Sequence, residues 1–179
     1  MHARLAETMD FVEQKRHELL QSFEGVDGAK LSRRAAPDGW SIAEILEHLR
    51  MVETGVARLI TKRVGQAREA GLSEEKDASS VLQSFDRHAA YLDSVVLKSP
   101  GPVQPRPDVD IGEALAGLDS SREALRSAVA AADGLALAEI KHTHVVLGEL
   151  DLYQWLIFVG QHEGRHKKQI ERTLQSIPE

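Results

Sequence analysis

Trp155, Val159, His162, His166 and Ile170 advance by four, three, four and four residues, a spacing that only a helix gathers onto one face. The same period governs most of this 179-residue chain. Leu5, Met9, Val12, Arg16 and Leu19 trace one face of a first helix over about residues 3–24, which Gly25 and Gly28 end. Ile45, His48/Leu49, Val52, Val56, Leu59 and Ile60 trace a second, over about residues 42–66. Residues 71–98 begin polar and then present Val81, Leu82, Phe85, Ala89, Leu92 and Val96, which predicts a further helix inserted in the middle of the chain. Ile111, Leu115, Leu118, Leu125 and Val129 mark a helix over about residues 110–132, and the last helix covers about 151–176. Runs of alternating β-branched residues are missing, so the expected fold is all-α.

Local signals sharpen these limits. Ser41 followed by Glu44 is a capping box, and Trp40 before it is placed to staple onto Ile45. Asp151 and Gln154 form a weaker pair of the same kind. Pro100, Pro102, Pro105 and Pro107 interrupt helix and predict an extended connector over residues 99–109. The helix after it lacks enough apolar surface for a core of its own, so residues 1–179 are expected to form a single domain.

Composition excludes several function classes. Acidic residues number 28 against 22 basic ones, a formal net charge of −6, and the basic residues are scattered. No nucleic-acid footprint is expected from such a surface. The absence of cysteine removes disulfides, thiolate ligands and a cysteine nucleophile. No apolar run approaches the length that spans a bilayer, and the first residues turn charged at once, so neither a membrane nor a nucleic-acid partner is expected and the location expected is cytoplasmic.

The histidines carry the chemistry. His162 and His166 leave the same side of one helix, on its buried seam, and His48 holds the same kind of place between Ile45 and Val52. A lone inward histidine is ordinarily a hydrogen-bonded core residue. Two on one buried face carry a desolvation cost that a shared metal removes, and with His48 as the third they predict a divalent metal site with one coordination position open. His2, His17 and His88 are expected to be solvated, while His142 and His144 fall in the loop before the last helix, His144 nearer a pocket. His162-Glu163-Gly164-Arg165-His166 also matches the H-E-x-x-H pattern of zinc proteases. Only 13 residues follow His166, with no suitable third ligand and no predicted strand to hold a peptide. Glu163 stands about 100° around the helix from His162 and is expected to be an exposed carboxylate.

Trp40-Ser41-Ile42-Ala43-Glu44-Ile45-Leu46-Glu47-His48-Leu49 resembles the Trp-Ser opening of the second helix in the DinB-like family. Leu147 to Leu156, with its Trp155-Leu156 step, and then His162-Glu163-Gly164-Arg165-His166-Lys167-Lys168-Gln169-Ile170 resemble that family's last helix, with H-x-x-R-H and Gln-Ile behind it. Residues 70–110 match only loosely. The resemblance implies a four-helix bundle of up-down-down-up type, with His48, His162 and His166 as ligands of zinc or nickel. It implies a hydrolase or a thiol-dependent S-transferase acting on a small electrophile, with a low-molecular-weight thiol as cosubstrate, and homodimers are common in the family. No catalytic acid or base is assigned. The alternative is a non-catalytic bundle, either metal-stabilised, which a fourth protein ligand such as His144 or a carboxylate would favour, or stress-linked and binding with the site empty.

Overall fold

Helix caps and apolar stripes place the elements. The computed structural model describes residues 1–95, 99 and 101–177. In chain order these form helices α1 (Ala3–Gln21), α2 (Gly28–Leu31), α3 (Ile42–Glu69), α4 (Asp86–Ser94) and α5 (Ile111–Ala132), strands β1 (Lys141–His144) and β2 (Gly148–Asp151), and helix α6 (Leu152–Ser176). The Ser41 hydroxyl accepts from the Glu44 amide while the Glu44 carboxylate accepts from the Ser41 amide, so the expected capping box starts α3. Asp151 and Gln154 start α6 in the same way.

Contacts between helices fix their directions. Phe11 lies against Gly160, and Lys15 against Gly164, so α1 and α6 run the same way. His48 meets His162 while Arg63, farther along α3, reaches the Lys141 carbonyl ahead of α6, so α3 opposes α6. Arg122 bonds Glu53 and Arg68 reaches the Ala131 carbonyl, so α5 runs with α3. The bundle is therefore up-down-down-up.

That order explains the long middle segment. With 28 residues, α3 is about 42 Å long, and because α5 runs parallel to it the chain must travel back before α5 begins. Of residues 71–98, expected as one helix, the described ones, 71–95, do so mostly in other ways. A 3-10 turn at Leu82–Phe85 leads into α4, and residues before it form an irregular strap. The strap pairs with the turn after α5, Glu75 donating its amide to Gly134 and Ser73 accepting from Ala136. The Arg4 guanidinium gathers Glu75, Asp77 and the Ser79 carbonyl, and the Tyr153 hydroxyl donates to Glu75. Those polar partners outcompete helix formation. Val96 and Lys98 of the expected helix lie outside the described residues. In the proline connector Pro100 lies outside the described residues, and Gly101–Val103 form a 3-10 turn that the sequence reading did not anticipate.

Two further departures stand out. The first helix ends at Gln21, and the polar connection beyond it contains α2, capped by Asp27. The loop expected before α6 is a hairpin, with Lys141 opposite Asp151 and His144 opposite Gly148. Its strands, Lys-His-Thr-His and Gly-Glu-Leu-Asp, bury only Leu150 fully. They therefore carry no apolar alternation for a sequence to display.

Two apolar clusters fill the bundle. One runs from Leu5, Met9 and Val12 to Val56, Leu125 and Val159. The other gathers Leu19, Ile45, Leu49, Leu118 and Ile170. Among the described residues no helix is long and apolar enough to cross a membrane. Gly160 lets α1 and α6 come close: a Cβ there would lie 2.6 Å from Phe11 Cε1. Gly160→Val is expected to lower stability by about 1–3 kcal/mol through overpacking. An unchanged urea midpoint would mean that the Phe11 ring simply moves aside.

Candidate metal centre

The first turns of α3 are buried without interruption from Ile42 to Leu49, because Arg34 holds Glu44 at the outer edge and Trp40 covers the His48 ring at 5.1 Å between centroids. His48 is thereby 3% exposed. On α6, the seam expected from the sequence carries His162 and His166 toward it. His48 Nε2 lies 3.2 Å from His162 Nε2, and His166 Nε2 lies 3.1 Å from the same atom. All three predicted ligand residues thus meet, their ligand atoms within 4.8 Å of one another. His166 is 7% exposed and His162 is partly buried. Among the described residues no fourth carboxylate or imidazole joins the group.

The donor set fits a cation. His48 Nδ1 sits 2.7 Å from the Val103 carbonyl and His166 Nδ1 2.7 Å from Gln169 Oε1. A carbonyl oxygen only accepts, so both Nδ1 atoms carry the proton and both Nε2 atoms present bare lone pairs. His162 Nε2 faces both and can donate to only one of them. At least one of the two contacts then has no hydrogen to share, and a bare lone pair is left without a donor. Protonation is a poor remedy: burial pushes His48 down, His162 well below the usual imidazole range and His166 down to about 3, with the neighbouring imidazoles adding to the last two shifts. A divalent ion resolves the conflict by accepting from all three. Two nitrogens on one tetrahedral ion, at bonds of about 2.0–2.1 Å, stand about 3.3–3.4 Å apart, near the spacing seen here.

Sequence reasoning missed the Val103 carbonyl, a main-chain group whose position depends on the fold of the proline connector. Gln169→Leu is expected to weaken metal binding about 10–100-fold with the fold intact. Isothermal titration with zinc measures this, and an unchanged affinity would leave the Gln169 contact without influence on the site.

His144 does not join the cluster. It lies at the end of β1, its Nδ1 accepting the Val146 and Leu147 amides, and its ring packs on Phe158 at 4.8 Å. Phe158 in turn stacks on His162 at 5.3 Å. His88, expected in solvent, packs its ring on Phe85 at 5.3 Å.

Glu163 corrects the sequence reading most. It is buried at 2% exposure, not exposed, and its Oε1 accepts from Arg16 Nε and Nη2 and from Arg122 Nη2. Burial pushes its carboxyl up, against the pull of Arg16 and Arg122. A carboxylate clasped by two guanidiniums is not placed as the base of a zinc protease, so the H-E-x-x-H match is a coincidence of spacing. A signal for the burial was present: Arg16, Glu53, Arg122 and Glu163 each continue an apolar stripe at helical spacing.

Comparison with known proteins agrees with this architecture. The sequence pattern of the DinB superfamily matches residues 12–170. The uncharacterised protein YuaE of Bacillus subtilis (strain 168) is 28% identical over 171 residues, which cover 94% of this chain and 98% of that protein. The crystal structure of TT2238, described as a four-helix bundle protein, superposes with a TM-score of 0.61 at 23% identity, covering 94% of this chain and 98% of that one. The last similarity supports the fold alone.

Proposed function

The chain belongs to the DinB superfamily, and from that premise we propose that it binds one divalent metal, zinc or nickel, through His48, His162 and His166, and acts on a small electrophile as a hydrolase or a thiol S-transferase. The observation that carries this reading is the meeting of three Nε2 atoms, with the outer nitrogens of His48 and His166 already held by Val103 and Gln169. Three protein ligands, with no fourth among the described residues, suit an open catalytic position more than a closed structural one.

When bound, such a metal lowers the pKa of a coordinated water or holds a thiol as its thiolate. The protein's part is positional. Val103 and Gln169 fix the tautomers of His48 and His166, and Trp40 and Phe158 cover the His48 and His162 rings. The thiol must be a cosubstrate, because the chain contains no cysteine.

The test is metal content of protein prepared without an affinity tag, followed by turnover assays with and without added low-molecular-weight thiols. About one zinc or nickel per chain, with turnover that depends on it, supports the reading. Metal without turnover of esters, amides or thiol-acceptor electrophiles points to a metal-stabilised bundle. No metal after reconstitution removes the proposal.

A further inference from the structure

Arg16, Glu53, Arg122 and Glu163 come one from each long helix, alternate in sign and are buried. They form a single layer. Arg16 lies between Val12 and Leu19, Glu53 between Leu49 and Val56, Arg122 between Leu118 and Leu125, and Glu163 between Val159 and Ile170, so the layer separates the two apolar clusters. Each guanidinium touches both carboxylates. Arg16 Nη2 donates to Glu53 Oε2 at 2.8 Å and to Glu163 Oε1 at 2.6 Å. Arg122 donates through Nε to Glu53 Oε1 at 2.6 Å and through Nη2 to Glu163 Oε1 at 2.9 Å. Arg16 Nη1 also holds the Leu118 carbonyl, and Arg122 Nη1 the Val12 carbonyl.

The division of roles is informative. Both carboxylates stand on α3 and α6, the helices that bear the three imidazoles, and both guanidiniums on α1 and α5, which bear none. Glu53 is five residues from His48; Glu163 is one from His162 and three from His166. A buried ion layer is a weak source of stability, since apolar residues of similar volume often serve as well, but its directional bonds fix helix register. Rotation of α6 by one residue turns its side chains about 100° and would take His162 away from His48.

We propose that this layer positions the metal centre: Arg16 and Arg122 bridge Glu53 to Glu163 and so set the separation and register of α3 and α6 at which His48 meets His162 and His166. These are positioning residues, and the proposal rests on the metal reading above only for its first readout.

Two variants test it, each titrated with zinc and, in the zinc-free state, read by NMR contacts between the His48 and His162 rings. Arg16→Lys keeps the charge but replaces a rigid fork, which reaches both carboxylates and the Leu118 carbonyl from three nitrogens, by one nitrogen without that fixed geometry. The fourfold variant Arg16→Met, Glu53→Leu, Arg122→Met, Glu163→Leu removes the layer while keeping volume. Both are expected to keep wild-type helical content, lose at least tenfold in zinc affinity and weaken the His48–His162 ring contacts. Zinc affinity within twofold of wild type in either folded variant overturns the proposal. If the fourfold variant does not fold, Arg16→Lys decides alone, and an unfolded Arg16→Lys makes the layer purely structural and also overturns it. If wild type binds no zinc, the metal reading fails separately. The ring contacts then decide: their loss in Arg16→Lys supports the positioning role, and their retention removes it.

Discussion

Arg122→Ala is expected to lower folding stability by about 3–5 kcal/mol, the loss typical of removing one partner from a buried ion pair. The side chain is 3% exposed and donates to Glu53, Glu163, Glu13 and the Val12 carbonyl. Truncation leaves two buried carboxylates on the one guanidinium of Arg16, opens a cavity and removes a second bond to the Val12 carbonyl. Against a usual domain stability of about 5–15 kcal/mol this is a large fraction. Urea unfolding followed by far-ultraviolet circular dichroism measures it. A loss below about 1 kcal/mol would mean that water enters the layer and screens it as at a surface.

His166→Ala is expected to abolish stoichiometric metal binding while helical content survives. Its Nε2 is one of three converging donors, and its ring adds little to the apolar core beside Ile170. Two remaining imidazoles bind a divalent ion far more weakly, and His48→Ala should behave alike from the opposite helix. Retention of one ion per chain in both variants would remove the three-histidine assignment. The same residues predict a pH dependence. All three imidazoles have folded values below the unfolded one near 6.5, so the unfolded chain takes up protons first. Stability of the metal-free protein is therefore unaffected by these groups above that value and falls as pH drops below it, until His166 protonates in the folded state at about 3. Thermal unfolding of chelator-treated protein across that range checks the sign. A midpoint that rises on acidification would contradict it.

Most of the bundle was legible because its signals are local. Ser41-x-x-Glu44 and Asp151-x-x-Gln154 start their helices by bonds between residues three apart, and the apolar stripes report burial directly. His162 and His166 share a face for the same reason, since four residues are nearly one helical turn. Glu163 was misjudged because a glutamate is ordinarily exposed, and the two guanidiniums that bury it arrive from helices 147 and 41 residues away. The strap over residues 71–81 and the hairpin before α6 escaped because their partners are nonlocal: Arg4, Tyr153 and the turn at Gly134 for one, β1 against β2 for the other.

The sequence by itself determined the four long helices, most of their buried faces and the three histidines, since periodicity and capping act within a turn or two of the chain. Only the tertiary structure decided that His48 meets the other two, that Val103 and Gln169 leave the lone pairs of His48 and His166 facing His162, and that Arg16 and Arg122 bridge the helices bearing them. Those contacts depend on how far apart two helices stand and how each is rotated, quantities set by packing across the bundle and not written in any local stretch of residues.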